Sequence, residues 1–277
     1  MLDPATRVEL VRRLEGAGAT RIETVSFARS DRVPQMAGAE DVCAALADRR
    51  FSAIGLVLNA KGLQRAMECD LDEVNLVGYA SNGYAVRNTG ATAEQRNDEV
   101  RSLVAAAGEA GLAVSVTISV AFGDPVDGPV DPDHVADLSA EFVRAGAHEI
   151  ALGDTIGVAV PSQVATTIVR VREAGAAALR CHFHNTRNTG YANVFAAIDA
   201  GVDAIDTSVG GYGGSPFSPG AGGNVATEDV VWALERSGLA TGLDHAAVVA
   251  TAQWLAERLG DETPPSMGAR TAVWPPG

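Results

Sequence analysis

Aromatic residues are scarce in this chain of 277 residues, at 5% of positions, and there are only three cysteines. Cys43, Cys69 and Cys181 are too few and too widely spaced for a disulfide framework or a CxxC metal site, so a reducing cytoplasm is the expected location. No apolar run reaches the roughly 18 residues that cross a bilayer. The N-terminal stretch MLDPATRVELVRRLEGAG is charged and amphipathic, without the apolar segment of a signal peptide. Basic residues are outnumbered, 21 Lys and Arg against 35 Asp and Glu. The resulting net charge of −14 argues against nucleic acid or an anionic membrane as partners. An anionic ligand would require positive charge concentrated locally. What the chain has in quantity is glycine, 30 residues, within a composition that is 47% hydrophobic and suits a globular α/β protein. The length allows one large barrel or two small domains.

A repeat organises the sequence. Five times a helical stretch ends in Ala-Gly and an apolar run follows: AGATRIETVSF from Ala17, AGLAVSVTISV from Ala110, AGAHEIALGDT from Ala145, AGAAALRCHFHNT from Ala174 and AGVDAIDTSVGG from Ala200. A glycine just past a helix is the expected left-handed cap. FSAIGLVLN (51–59) and EVNLVGYAS (73–81) fit the same rhythm as two more strands. Helix starts such as DPDHVADLSAEFVRAG and PSQVATTIVRVREAG carry Asp or Pro at the entry. Strands alternating with helices imply a parallel sheet with right-handed crossovers. The near-continuous apolar strands, with no dinucleotide-binding glycine fingerprint, favour an α/β TIM (β/α)8 barrel over an open sheet. Only seven strands can be counted, because the chain opens directly on a helix. The first strand is missing: either it was lost before Met1 or something else closes the barrel. The expected organisation is a single barrel domain over 1–277, with a barrel core at 1–225, C-terminal helices at 226–260 and a Pro-rich tail at 261–277.

Barrel enzymes place their chemistry at the C-terminal ends of the strands. Those ends hold Glu23, Asn59 and Lys61, Ser81, Ser119, Asp154, His182 and His184, and the loop GGYGGSPFSPGAGGN that ends at Asn224. Strand side chains alternate, so His182 and His184 share one face while Phe183 takes the other. Two imidazoles so placed can converge on one metal ion, or simply hydrogen-bond at a strand end. Their position beside a glycine-rich loop favours the metal. That loop carries seven glycines in fifteen residues and suits a lid that excludes water. Asn224 could offer its amide oxygen to the metal or cap the following helix.

The segments IETVSF, VPQM, NAKG, EIALGDTIGV, HFHNT and GGYGGSPFSPGAGGNVATED, in this order from about Pro4 to Leu259, resemble the 3-hydroxy-3-methylglutaryl-CoA lyase family of metal-dependent TIM-barrel lyases and synthases. The resemblance implies a divalent metal, Mg2+ or Mn2+, on His182, His184 and Asn224. It implies a catalytic group of Ser215, Asp154 and Glu23, substrate-binding positions at Asn59, Lys61, Thr117 and Thr155, and lid glycines at Gly213, Gly214 and Gly222. The reaction implied is retro-Claisen cleavage of a 3-hydroxy-3-methylglutaryl-CoA-like thioester to acetyl-CoA and a 3-oxo acid. Arg87 and Arg187 could add positive charge for the CoA phosphates. An acyl-CoA is the implied partner, and a homodimer a candidate assembly.

The sequence also departs from the family's pattern. An Arg-Asp pair expected at the end of the first strand, the Asp a metal ligand, would precede Met1. Ser215 replaces the lid cysteine, the family's proton donor, and a hydroxyl is far less acidic than a thiol. Thr117 stands where a tyrosine is usual, Ala151 where a serine is common, and Asn185 replaces a frequent aspartate. These differences leave two alternatives open: a related 2-oxo-acid aldolase or acyl-CoA-dependent synthase, and a catalytically impaired CoA- or metal-binding homologue.

Overall fold

A computed structural model describes residues 2–31, 33–214 and 223–260. The Pro-rich tail, Ser215 and Gly222 lie outside the described residues. Seven strands, β1 (Arg21–Ser26), β2 (Ser52–Val57), β3 (Glu73–Tyr79), β4 (Ala113–Ser119), β5 (Glu149–Asp154), β6 (Ala178–Phe183) and β7 (Ala204–Asp206), form one sheet in sequence order. Every neighbouring pair is parallel. Ten helices of the described residues connect and cover them: α1 (Pro4–Gly16), α2 (Ala39–Ala45), α3 (Ala60–Met67), α4 (Asn82–Thr89), α5 (Ala93–Glu109), α6 (Pro132–Ala145), α7 (Pro161–Glu173), α8 (Gly190–Asp199), α9 (Thr227–Arg236) and α10 (His245–Leu259).

The Ala-Gly repeat is the device that turns helix into strand. Gly18, Gly111, Gly146, Gly175 and Gly201 all have positive φ, from 83° to 114°. That conformation lets the chain reverse within two or three residues, and a side chain there would be strained. Helix starts are fixed by side-chain caps. Asp3 accepts from the Thr6 amide and Asp131 from the Asp133 amide, while Thr92 and Gln95 form a reciprocal capping box on α5.

The outward strand face is apolar and packs under the helices. Val74, Leu76, Val116, Ile118, Ile150, Leu152, Leu179, Cys181 and Phe183 are all buried there with Val104, Phe142, Ile168 and Val171 from the helices. The inward face differs from the expectation of uniformly apolar strands: charged and polar groups fill the lumen. Arg21 on β1 donates to Glu73 of β3 at 2.7 Å and to Glu149 of β5 at 2.7 Å and 2.8 Å. In a flat sheet β1 and β5 would stand about 19 Å apart, four strand spacings of ~4.8 Å. One arginine bridging them shows that the sheet curls into a barrel.

The described residues supply seven strands, one fewer than a closed eight-stranded barrel. β1 and β7 are the sheet's edges and do not pair with each other. The helical layer does close across this seam. The Asp244 amide donates to the Ala17 carbonyl at 2.8 Å, and the Arg13 guanidinium stacks 4.6 Å from the Trp254 ring centre. Val248, Ala252 and Leu255 of α10 pack with Leu10 and Leu14 of α1 in a second apolar cluster. All three cysteines are free thiols. No helix of the described residues is long and apolar enough to cross a membrane.

The lumen network sets a testable requirement. Glu73 and Glu149 have side chains only 5% exposed, so removing their shared arginine leaves two carboxylates without it in a confined space. Arg21→Met is expected to cost about 3–5 kcal/mol of folding stability, read as a shifted urea midpoint. An unchanged midpoint would mean that the lumen carboxylates find their counter-charge elsewhere.

Candidate active site

At the C-terminal ends of the strands, β6 and the residue after it supply inward side chains at every second position, Arg180, His182 and His184, while Leu179, Cys181 and Phe183 are buried outward. The imidazoles converge: His182 Nε2 lies 3.2 Å from His184 Nε2, with the rings at 64°. Two lone pairs do not face each other at this distance. Either one nitrogen carries a proton, or a cation sits against both.

Asn224 is brought to this pair by backbone hydrogen bonds. The chain returning from the glycine-rich loop lies across the ends of β6 and β7. There the Val225 amide donates to the Phe183 carbonyl, the Ser208 amide to the Val225 carbonyl and the Asn185 amide to the Gly223 carbonyl. Asn224 and His184 thereby form an antiparallel bridge. Glycine is needed here for space, since a Cβ at Gly223 would fall 2.0 Å from the Gly211 carbonyl oxygen and one at Gly213 2.6 Å from Asn224 Nδ2. The Asn224 amide nitrogen donates to the Tyr212 carbonyl at 2.9 Å, which fixes the orientation of the amide. Its Oδ1 is buried without a hydrogen-bond partner among the described residues. A buried carbonyl oxygen left unsatisfied costs free energy that a ligand would recover. Two imidazole nitrogens and this oxygen form a donor set that suits a divalent cation. Among the described residues no group of three or more His, Cys, Asp or Glu forms an alternative.

Below the histidines, Asp206 of β7 stands with Oδ2 3.4 Å from His182 Nδ1 and Oδ1 3.1 Å from Arg180. Burial alone would raise the Asp206 pKa, but the charges of Arg180 and His182 outweigh it and hold the carboxyl below the usual carboxylate range. Glu23, on β1, accepts from Asn75 Nδ2 at 2.9 Å, and Asn75 Oδ1 accepts from Thr117 Oγ1 at 2.9 Å. Glu23 is solvent-exposed on the edge strand β1. Burial against the lumen groups and the charge of Asp206 nonetheless hold its pKa above the ordinary range, against the Asn75 hydrogen bond. The open seam limits the size of that effect.

The structure thus gathers Glu23, Thr117, His182, His184 and Asn224 around the lumen. Other expected residues are placed differently. Asp154 takes the opposite strand face from Gly153, and its Oδ1 accepts from the Val158 and Ala159 amides; its Oδ2 is buried without a hydrogen bond, and burial raises its pKa. Asn59 caps α3 by accepting from the Gly62 amide at 2.9 Å, and Lys61 is exposed on the first turn of that helix. Thr155 Oγ1 accepts from the Val120 amide, holding a β-branched residue at φ 53°. Arg187 donates to the Ile156 and Gly157 carbonyls, and Arg87 is exposed on α4. Gly213 and Gly214 stand at the loop's entry, whereas Gly222 and Ser215 lie outside the described residues. Reasoning from sequence missed Asp206, Arg180 and Asn75. A signal existed for two of them: Arg180 shares the period-two face of the histidines, and Asp206 ends the strand in AIDTS.

The raised pKa of Glu23 has a signed consequence. A carboxyl that binds its proton more tightly when folded contributes stability below its unfolded pKa, and this is lost as pH rises through the folded value. Glu23→Gln, which mimics the protonated group, should match the wild type at low pH and exceed its stability once pH passes above the ordinary carboxylate range. Urea unfolding between about pH 3.5 and 7.5 checks this; parallel curves for the two proteins would refute it.

Comparison with known proteins agrees with this architecture. A family profile described as HMGL-like matches residues 1–255. An (R)-citramalyl-CoA lyase of Chloroflexus aurantiacus is 40% identical over 99% of this chain and 90% of its own length. A hydroxymethylglutaryl-CoA lyase of Pseudomonas mevalonii is 37% identical over 94% of this chain and 87% of its own. An HMG-CoA lyase of Acinetobacter baumannii, solved in complex with coenzyme A and 3-methylmalate, superimposes with a TM-score of 0.92 at 32% identity, covering 100% of this chain and 92% of that one. The curled parallel sheet is therefore that of the HMGL-like family of carbon–carbon lyases, to which this chain belongs.

Proposed function

We propose that this lyase cleaves a CoA thioester bearing a tertiary hydroxyl on C3, of the hydroxymethylglutaryl-CoA or citramalyl-CoA type, to acetyl-CoA and an oxo acid. What supports the reading is the meeting of two imidazole nitrogens at 3.2 Å and an unpartnered, buried Asn224 oxygen on the segment bridged to His184, in a chain of this family. His182, His184 and Asn224 would hold a divalent cation, Mg2+ or Mn2+, which would supply the positive charge that acidifies and orients the substrate hydroxyl.

The chain's own residues account for the remaining steps. Glu23 faces the lumen with its carboxylate steadied by Asn75, and its raised pKa makes it the stronger base for the hydroxyl proton. As that proton leaves, the C2–C3 bond breaks, its electrons pass into the thioester carbonyl, and the enolate of acetyl-CoA remains to be protonated. Ser215, in the lid position, is the proposed donor to that enolate. Asp154 acts at a distance, through the loop amides it holds at Val158 and Ala159. Lys61 and the start of α3 offer positive charge to the CoA moiety at the rim. The chemistry suits the cytoplasm, where CoA thioesters and free thiols coexist.

Two measurements test the proposal. With Mn2+ present, the protein should release acetyl-CoA from hydroxymethylglutaryl-CoA or citramalyl-CoA. His182→Ala and Asn224→Ala should each abolish most of that release, and no acetyl-CoA from either thioester would overturn the reading. If Ser215 is a weak proton donor, Ser215→Cys should raise turnover, a general acid being worth ~10²–10⁴-fold. Equal turnover by both proteins would remove Ser215 from the protonation step.

A further inference from the structure

The side chains beneath the histidines form a connected chain that the proposed lyase chemistry does not itself use. Arg180, 4% exposed, spans between Glu149 and Asp206: its Nε stands 3.1 Å from Glu149 Oε2 as an ion contact, and its NH1 donates to Asp206 Oδ1 at 3.1 Å. This leaves Asp206 Oδ2 facing His182 Nδ1 at 3.4 Å. His182 is also the imidazole whose Nε2 meets its neighbour at 3.2 Å.

Electrostatics then decides the tautomer. A nitrogen lone pair aimed at a carboxylate 3.4 Å away is repelled, whereas an N–H there is attracted, so the proton of neutral His182 belongs on Nδ1. Nε2 is then left with its lone pair turned towards His184. Among the described residues no other carboxylate is in ion-pair distance of His182 Nδ1, so without Asp206 the Nε2–H tautomer, which offers no lone pair at Nε2, becomes accessible. Arg180 matters because an aspartate free to rotate would not keep Oδ2 on the ring. Glu149, itself tied to Arg21, keeps Arg180 in place.

We propose that Asp206, fixed by Arg180, is a positioning residue that locks His182 as the Nδ1–H tautomer and so presents its Nε2 lone pair for cation binding. The proposal rests on the reading that His182 and His184 hold a divalent cation, but its tautomeric part stands apart from it. A carboxylate behind a metal-binding imidazole typically sets affinity by 10–100-fold.

The experiment uses the full chain free of metal, with nitrogen-15 histidine spectra recorded at about pH 8, above the ordinary histidine range. Mn2+ binding is followed separately by electron paramagnetic resonance. Wild-type His182 should be protonated on Nδ1 and unprotonated on Nε2. Asp206→Ala should lose that preference and bind Mn2+ about 10–100-fold more weakly. Asp206→Asn keeps the shape and an acceptor for Arg180 but turns an amide N–H towards His182 Nδ1, so it should favour the Nε2–H tautomer and weaken Mn2+ binding at least as much as the alanine variant, while guarding against misfolding. A merely structural role would lower the melting temperature while leaving the tautomer and the Mn2+ affinity per folded molecule unchanged, and that result overturns the proposal. So does an Nε2–H tautomer in the wild type. If the wild type shows the Nδ1–H tautomer but binds no Mn2+, the cation reading fails and the proposal fails with it as a device for metal binding.

Discussion

The ion pairs that cross the lumen are the constraint on which both the barrel and its site depend. Arg21 reaches from the edge strand β1 to Glu73 and Glu149 on β3 and β5, and Arg180 continues the chain to Asp206 on β7. Among the described residues the sheet has no strand pairing across its seam, so these contacts tie opposite walls together where backbone hydrogen bonds do not. Buried ion pairs add little net stability over apolar packing, but they are costly to break one partner at a time. They therefore act here chiefly by specifying geometry. The same groups that hold the walls at a fixed separation also end at His182, so a change in barrel curvature would be felt at the imidazole pair.

Strand register is the second constraint. His182 pairs with Gly153 on one side and Asp206 on the other, and the alternation of β6 puts Arg180, His182 and His184 in one column. A slip of one residue would carry Cys181 and Phe183 into the lumen and turn the histidines into the apolar layer, which the buried partners of Phe183 resist. Asn224 is held to the same register because its segment pairs with the end of β6 instead of hanging from a loop. The three donor atoms thus come from positions that backbone hydrogen bonds fix, and the glycines at 213 and 223 make the close approach sterically possible.

Much of this was legible in the sequence, for physical reasons that differ between elements. The Ala-Gly repeat could be read because a left-handed cap is a local requirement, and all five glycines adopt it. The face shared by His182 and His184 could be read because strand alternation is also local. The polar lumen is masked in the sequence by the apolar runs: Glu73 and Asn75 alternate with Val74 and Leu76 in a strand that is apolar overall. The partnership of Arg21 with Glu149 joins residues 128 positions apart, and no spacing rule announces it. Asn59 illustrates the opposite limit. The family resemblance implies a substrate contact there, and its side chain occupies the N-cap of α3, the role its residue type favours locally.

The charge balance of the chain bears on how an anionic thioester could be bound at all. With a net charge of −14 the protein repels such a ligand at long range, so attraction must arise at the site. The lumen arginines do not provide it, since Arg21 and Arg180 are matched by Glu73, Glu149 and Asp206. Arg187 is committed to two backbone carbonyls. Lys61, the chain's single lysine, is exposed at the rim on α3 and has no ion-pair partner among the described residues. Two neutral imidazoles and an amide oxygen bring no charge of their own. A divalent cation on those donors would therefore be the largest local positive charge at the strand ends, placed where the reacting oxygen needs it. The lumen pairs make that arrangement coherent. Their two arginines face three carboxylates, so the charge below the site is negative on balance and adds to the attraction for a cation there.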